Sequence, residues 1–268
     1  MNELINEIIQ GDCLEVMKRI PNDYVDLTVT SPPYDNLRTY NEFDWDFEGI
    51  AEDLYRITKD GGVIVWVVGD ATVNGSETGT SFRQALHFKE IGFRLHDTMI
   101  YKKSKIVPMD PNCNRYYQGF EYMFVLSKGK PNVCNYIKVP SKHAGKNAIA
   151  VNRNKDGSMR KDRIIKQKGH VVGNFKIKSN IWEYANKSVK GHPAPFPEKL
   201  AEDHILSWSN PGDIILDPFV GSGTTAKMAV LNDRRYIGVD VSEEYVEIAR
   251  RRVDEALAIK NEKETDNI

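Results

Sequence analysis

Short β-branched runs alternate with helix-like segments through residues 7–126 and again from residue 197, and this alternation constrains the fold more than any other feature of the chain. A strand, a covering helix and a returning strand build a parallel pair, so the pattern predicts an α/β domain whose mostly parallel sheet is covered on both faces. Strands are expected at 7–9, 25–29, 63–68, 98–101, 122–126, 214–216 and 236–239. Helices are expected at 14–19, 47–57, 81–91, 197–208, from 224 onward, and at 243–258. Gly61-Gly62 and Gly92 stand where the second and third helices should end, and Ser242 stands where a cap should start the last one. The length of 268 residues suits one such domain carrying an insertion.

Between about residues 129 and 191 the alternation dissolves into a polar Lys/Asn/Gly-rich stretch, too long for an ordinary connection. Residues 130–190 hold 15 Lys and Arg against three acids, a local charge of +12 inside a chain of net charge -1. Such a block points to a polyanionic partner reached by one segment, or else to a solvated surface loop. The chain therefore divides into a first core half (1–129), a basic insert (130–190), a second core half (191–259) and a tail (260–268). With 40% hydrophobic and 28% charged residues the chain is neither fibrous nor wholly disordered. No apolar run reaches the roughly 18 residues of a membrane span, and the N-terminus lacks a signal-peptide pattern, so a cytoplasmic protein with no membrane partner is expected. Cys13, Cys113 and Cys134 form no CxxC pair and the six histidines show no ligand spacing, so no metal site is expected.

Two motifs carry chemistry. Asp217-Pro218-Phe219-Val220-Gly221-Ser222-Gly223-Thr224-Thr225 follows the strand ILD; glycines there let main-chain amides approach a ligand, and the helix behind them favours an anionic group. Read only as GSGTTA, the same loop fits a dinucleotide fingerprint, which is a weak signal alone. Asp240, closing the strand YIGVD, can accept hydrogen bonds from ribose hydroxyls of either kind of cofactor. The second motif, Thr30-Ser31-Pro32-Pro33-Tyr34, ends the buried-type strand 25–29. Its prolines fix φ and remove two main-chain donors, leaving carbonyl acceptors beside the Ser31 hydroxyl and the flat face of Tyr34. Rigid acceptors beside an aromatic plane suit a planar group that bears an NH2.

VDLTVTSPPY, followed much later by ILDPFVGSGTT and YIGVDV, resembles the S-adenosylmethionine-dependent DNA methyltransferases that modify exocyclic amino groups, cytosine N4 or adenine N6, in the motif order of their β group. The resemblance implies a Rossmann-like, mostly parallel seven-stranded sheet, circularly permuted, with the insert as target-recognition region. It assigns Ser31, Pro32, Pro33 and Tyr34 to the catalytic pocket. Asp217, Phe219, Gly221, Gly223 and Thr224 go to the loop around the methionine part of the cofactor, Asp240 to the ribose, and Asp12 and Cys13 to the adenine. Tyr101 stands where the family often stacks an aromatic on the target base. Arg153, Arg160 and Arg163 are the insert's candidates for reading base edges, and residues 191–200 match a segment that completes the cofactor site, although Pro195-Phe196 depart from the family's usual Gln-Lys.

The implied partner is double-stranded DNA; a second copy of the chain and a cognate restriction endonuclease are partners the resemblance leaves open. Ser before Pro-Pro-Tyr leans slightly toward cytosine N4. Methylation at cytosine C5 is disfavoured because no cysteine follows a proline. The alternatives are a methyltransferase acting on RNA or protein, a nicotinamide dehydrogenase, which leaves SPPY unexplained, and an inactive DNA-binding homologue. Trp66, Trp182 and Trp208 read as core, and Arg250-Arg251-Arg252 reads as a solvated helix face or, alternatively, a phosphate contact.

Overall fold

The computed structural model describes residues 2–33, 45–106, 114–147, 154, 156, 158, 171–185 and 197–265. In chain order the elements are β1 (Glu7–Gln10), α1 (Cys13–Met17), β2 (Val25–Thr30), α2 (Phe47–Ile57), β3 (Thr58–Val68), β4 (Thr72–Val73), β5 (Ser76–Glu77), α3 (Thr80–Glu90), β6 (Arg94–Lys103) and β7 (Phe120–Ser127). They continue with β8 (Lys138–Pro140), β9 (Phe175–Ile177), β10 (Ile181–Tyr184), α4 (Glu198–Trp208), β11 (Ile214–Asp217), α5 (Thr224–Leu231), β12 (Arg235–Asp240) and α6 (Glu243–Thr265).

Among the described residues, eight strands form the central sheet in the order β1-β12-β11-β2-β3-β7-β6-β10. Within it β7 runs against its two neighbours, and the other pairings are parallel. The mostly parallel α/β fold is thus present, with eight strands where seven were expected. The added strand is β10, at the edge beside β6, and it falls inside the stretch assigned to the insert. Its burial alternates exposed and buried, with Trp182 and Tyr184 turned inward, but four residues in a Lys/Asn-rich context are too short a run to read as a strand.

β3 explains why the centre of the sheet is apolar on both sides. Its run Val63-Ile64-Val65-Trp66-Val67-Val68 is buried throughout, as expected of a strand covered on both faces. Ile64, Trp66 and Val68 join Leu54 of α2, Phe88 of α3 and Met17 of α1 in one core. The alternate positions Val65 and Met123 are buried as well, and there His204 of α4 meets the Met123 sulfur at 3.2 Å.

The second helix has its expected bounds, although not its expected terminator, and two features of the last helix differ from expectation. α2 ends at Ile57 as expected, but Thr58 ends it, turning extended with its hydroxyl on the Leu54 carbonyl at 2.6 Å, while Gly61-Gly62 lie within β3. α6 continues through Thr265, past the expected end at 258, and Lys260 reaches Asp233 at 2.6 Å. The arginines 250–252 are not one solvated face: Arg252 is buried, and Arg250 donates to the Ile8 carbonyl at 2.7 Å. Trp66, Trp182 and Trp208 are all buried.

The chain separates into two compact units, Met1–Asn135 with Asn180–Ile268, and Tyr136–Ser179. The smaller unit is narrower than the 130–190 expected of the insert and contains the antiparallel pair β8–β9. Among the described residues, no helix is long and apolar enough to cross a membrane.

Trp66 is fully buried and donates its indole N–H to Gln84 at 2.9 Å. Replacing it with alanine is expected to cost about 3–5 kcal/mol through cavity formation, read as a lowered urea midpoint with an unchanged slope.

Candidate active site

Beyond β2 the chain passes through α2 to β3 on one side of β2, whereas β11 passes through α5 to β12 on the other. Crossovers that diverge from adjacent parallel strands leave a crevice at their carboxyl ends, which is where open α/β sheets bind ligands. β2 and β11 are those strands: Leu27 and Thr28 pair with Ile215 and Leu216. Their continuations are the two sequence motifs, Ser31-Pro32-Pro33 and the loop from Asp217, brought side by side from positions 187 residues apart.

A buried hydrogen bond locks that adjacency. The Thr30 hydroxyl donates to the Asp217 carboxylate at 2.6 Å, and the Thr225 hydroxyl donates to the Val29 carbonyl at 3.0 Å. The amide of Phe219 donates to the same Asp217 oxygen at 3.1 Å. Burial pushes the Asp217 carboxyl up to about 6, against the pull of the hydrogen bonds from Thr30 and Phe219. Thr30 and Thr225 lie inside the two motifs but carry no role in the sequence reading; the hydroxyls alternating through VDLTVT are the signal that could have found the first of them.

The glycine loop is held from the neighbouring strand as well. Both carboxylate oxygens of Asp240 accept main-chain amides, from Gly221 at 2.9 Å and from Ser242 at 2.9 Å. Burial raises the Asp240 carboxyl above its ordinary range, with these two hydrogen bonds opposing it. Gly223 adopts φ 79°, and an added Cβ would stand 2.8 Å from Ala249 of α6, so this turn tolerates no side chain. Thr224 is buried at the start of α5.

Asp12 and Cys13 join the same edge of the sheet, because Gly11 donates to the Asp240 carbonyl at 2.9 Å. Asp12 caps α1 by accepting the Leu14 amide at 2.8 Å. The Cys13 thiol is buried and pushed up to about 12, first by desolvation and then by Asp12, so it is a neutral thiol rather than a nucleophile. Phe219 is half-buried against Trp45, with ring centroids 5.4 Å apart edge to face, and Trp45 packs in turn near Trp66 at 6.4 Å. Trp45 is an aromatic neighbour of the loop that sequence reading passes over.

Tyr101 is the remaining candidate among the described residues. It lies on β6, two strands beyond β3, only 2% exposed, and its ring faces that of Tyr184 at 6.1 Å. Burial pushes its hydroxyl up to about 12, with Glu121 adding to the effect. Tyr34, Arg153, Arg160, Arg163 and residues 191–196 lie outside the described residues.

The family model for DNA methylases of the N6/N4 type matches residues 25–251. The chain belongs to this family. Its substrate is accordingly DNA. This DNA methylase is 55% identical over 240 residues to an orphan methyltransferase of Bacillus amyloliquefaciens, M.BamHII, covering 85% of this chain and 88% of that one. It is 30% identical over 259 residues to the type II methyltransferase M.BglII of Bacillus subtilis, covering 91% of this chain and 68% of the relative. In structure it is similar to a candidate DNA modification methylase of Thermus thermophilus complexed with S-adenosyl-L-methionine, with a TM-score of 0.63, 25% identity, and 94% and 96% of the two chains covered.

Because the folded-state pKa of Asp217 is raised, the folded protein holds a proton there that the unfolded chain has released between about pH 4 and pH 6. The group's contribution to stability is present below that window and is lost as pH rises through it. Relative to Asp217→Asn, the unfolding free energy of the wild type is expected to fall by about 3 kcal/mol from pH 4 to pH 6, measured by denaturant titration at a series of pH values.

Proposed function

We propose that this DNA methylase transfers the methyl group of S-adenosylmethionine to an exocyclic amino nitrogen of a flipped DNA base held at Ser31-Pro32-Pro33, and that cytosine N4 is preferred slightly over adenine N6. The observation that carries this reading is the 2.6 Å hydrogen bond from Thr30 to Asp217, which makes the two motifs adjoining walls of one crevice. The cofactor is S-adenosylmethionine, and the residues fit it. Each Asp240 oxygen keeps an acceptor lone pair beyond its one main-chain bond, a donor set suited to the two vicinal hydroxyls of a ribose. Asp12 and Cys13, beside Asp240, border the adenine, while Asp217, Phe219, Gly221, Gly223 and Thr224 form the loop at the methionine end. When bound, S-adenosylmethionine supplies an electrophilic methyl group on a sulfonium centre.

The chain's own task is to aim the nitrogen. An aromatic amino group is a poor nucleophile because its lone pair is delocalised into the ring. The Ser31 hydroxyl oxygen and the Pro32 carbonyl accept its two N–H bonds, which concentrates the lone pair on the face turned toward the glycine loop. Positioning and electrostatics of this kind need no covalent intermediate. The target atom of a duplex is enclosed by its neighbours, so the base must be extruded and stacked on a flat side chain, the role of Tyr34 in this reading. The basic segment 130–190 supplies phosphate contacts, and Arg153, Arg160 and Arg163 are its readers of base edges.

Incubation with sequence-diverse duplex DNA and labelled S-adenosylmethionine should transfer label to DNA, and nucleoside mass spectrometry of the digest should show N4-methylcytosine. N6-methyladenine in its place would reverse the base preference, and absence of transfer by cofactor-binding protein would contradict the reading. Ser31→Ala is expected to lower kcat by about 100-fold while S-adenosylmethionine still binds; Asp240→Ala is expected to raise the cofactor Kd instead.

A further inference from the structure

Among the described residues, the buried stripe of α6 is apolar except at one position. Val246, Ala249, Val253 and Ala256 are buried as a helix packed on a core should be, and between them lies Arg252, also buried with 8% exposure. A guanidinium in such a place costs desolvation unless every arm is engaged. Here one terminal nitrogen donates to the Ser222 carbonyl at 2.5 Å and to the Ser222 hydroxyl at 2.9 Å, in the middle of the glycine loop. The other donates to Glu198, the first residue of α4, at 2.8 Å, and the same Glu198 oxygen accepts Lys227 of α5 at 2.7 Å. Burial works to raise the Glu198 carboxyl, but the hydrogen bonds from Lys227 and Arg252 prevail and lower it, so the acid stays ionised to anchor the pair. One turn earlier, Ala249 lies directly beneath Gly223, close enough to exclude a Cβ there.

We propose that Arg252 is a positioning residue for the cofactor loop: forked between Ser222 and Glu198, it fixes the peptide that joins Ser222 to Gly223 and thereby holds the loop open to the methionine end of S-adenosylmethionine. This rests on the cofactor reading above. A leucine in the same stripe would pack at least as well, and buried ion pairs are often replaced by apolar side chains without loss of stability. What a leucine cannot do is set the direction of a carbonyl. The geometry is also asymmetric in a useful way: Asp240 holds the Gly221 amide from the β12 side and Arg252 holds the Ser222 carbonyl from the α6 side, so consecutive residues of the turn are gripped from two elements.

The test uses full-length protein and calorimetric titration with S-adenosylmethionine. R252K keeps a cation near Glu198 but lacks the second arm that reaches Ser222; its Kd is expected to rise at least fivefold, with an apo melting temperature close to wild type. R252M removes both arms and is expected to raise Kd further, with the cofactor KM rising by more than kcat falls. A Kd within twofold of wild type for folded R252K, whatever happens to the melting temperature, would assign Arg252 a purely structural part and overturn the proposal. Should R252M fail to fold, R252K and E198Q are decided by the same Kd criterion. Undetectable binding by the wild type would instead strike at the cofactor reading itself.

Discussion

The Asp217 carboxylate is buried at the end of β11, where water cannot solvate it and the Thr30 hydroxyl and the Phe219 amide must. One of those donors, Thr30, belongs to β2, and its 2.6 Å hydrogen bond couples two strands whose sequence positions are far apart. The coupling has a direction. Parallel pairing of β2 with β11 fixes where both strands end, and the Thr225 bond to the Val29 carbonyl repeats the constraint one residue lower. From there the chain goes on to β3 and β12, the outer neighbours of the pair. One strand pairing and two hydroxyls thus bring the two motifs together.

Most of this architecture is legible in the chain because it is local. Apolar β-branched runs such as Ile214-Ile215-Leu216 and Val63–Val68 announce strands without reference to their partners, and helices such as Phe47–Ile57 are periodic over several turns. Both motifs are legible for the same reason, since each is contiguous. What stays hidden depends on partners distant in sequence. β10 has one exposed side and only four residues, and pairing with Ile100–Lys103 makes it a strand. Gly61-Gly62 signals a helix end, but the Thr58 hydroxyl has already closed the helix three residues earlier. Arg252 reads as one of three surface cations until the loop it grips, 30 residues upstream, is folded against it.

Aromatic packing ties the site to the core in the same non-local way. Phe219 belongs to the glycine loop, yet its ring meets Trp45, which enters α2 from the other motif's connection, and both lie near Trp66 of β3. Edge-to-face contacts of this kind add about 0.5–1.5 kcal/mol each beyond the area they bury. Their larger effect here is geometric, because they fix the outer side of a loop whose inner side is fixed by Asp217.

Three charged side chains, Asp217, Asp240 and Arg252, are wholly or largely removed from water around a single turn of nine residues, and stability alone does not account for them. Burial disfavours the ionised form of both carboxylates, and a buried arginine survives only with full compensation. Apolar residues would fill the same volumes with less penalty. Methyl transfer without a covalent intermediate, however, relies on holding two groups in near-attack geometry, and a misplacement of about 1 Å can cost two orders of magnitude in rate. Hydrogen bonds restrict direction as well as distance, which dispersion contacts do not. The polar clamps around the glycine loop are therefore best understood as the cost of a rigid turn, incurred where the chemistry depends on rigidity, while the rest of the inward face of α6 is plain valine, isoleucine and alanine.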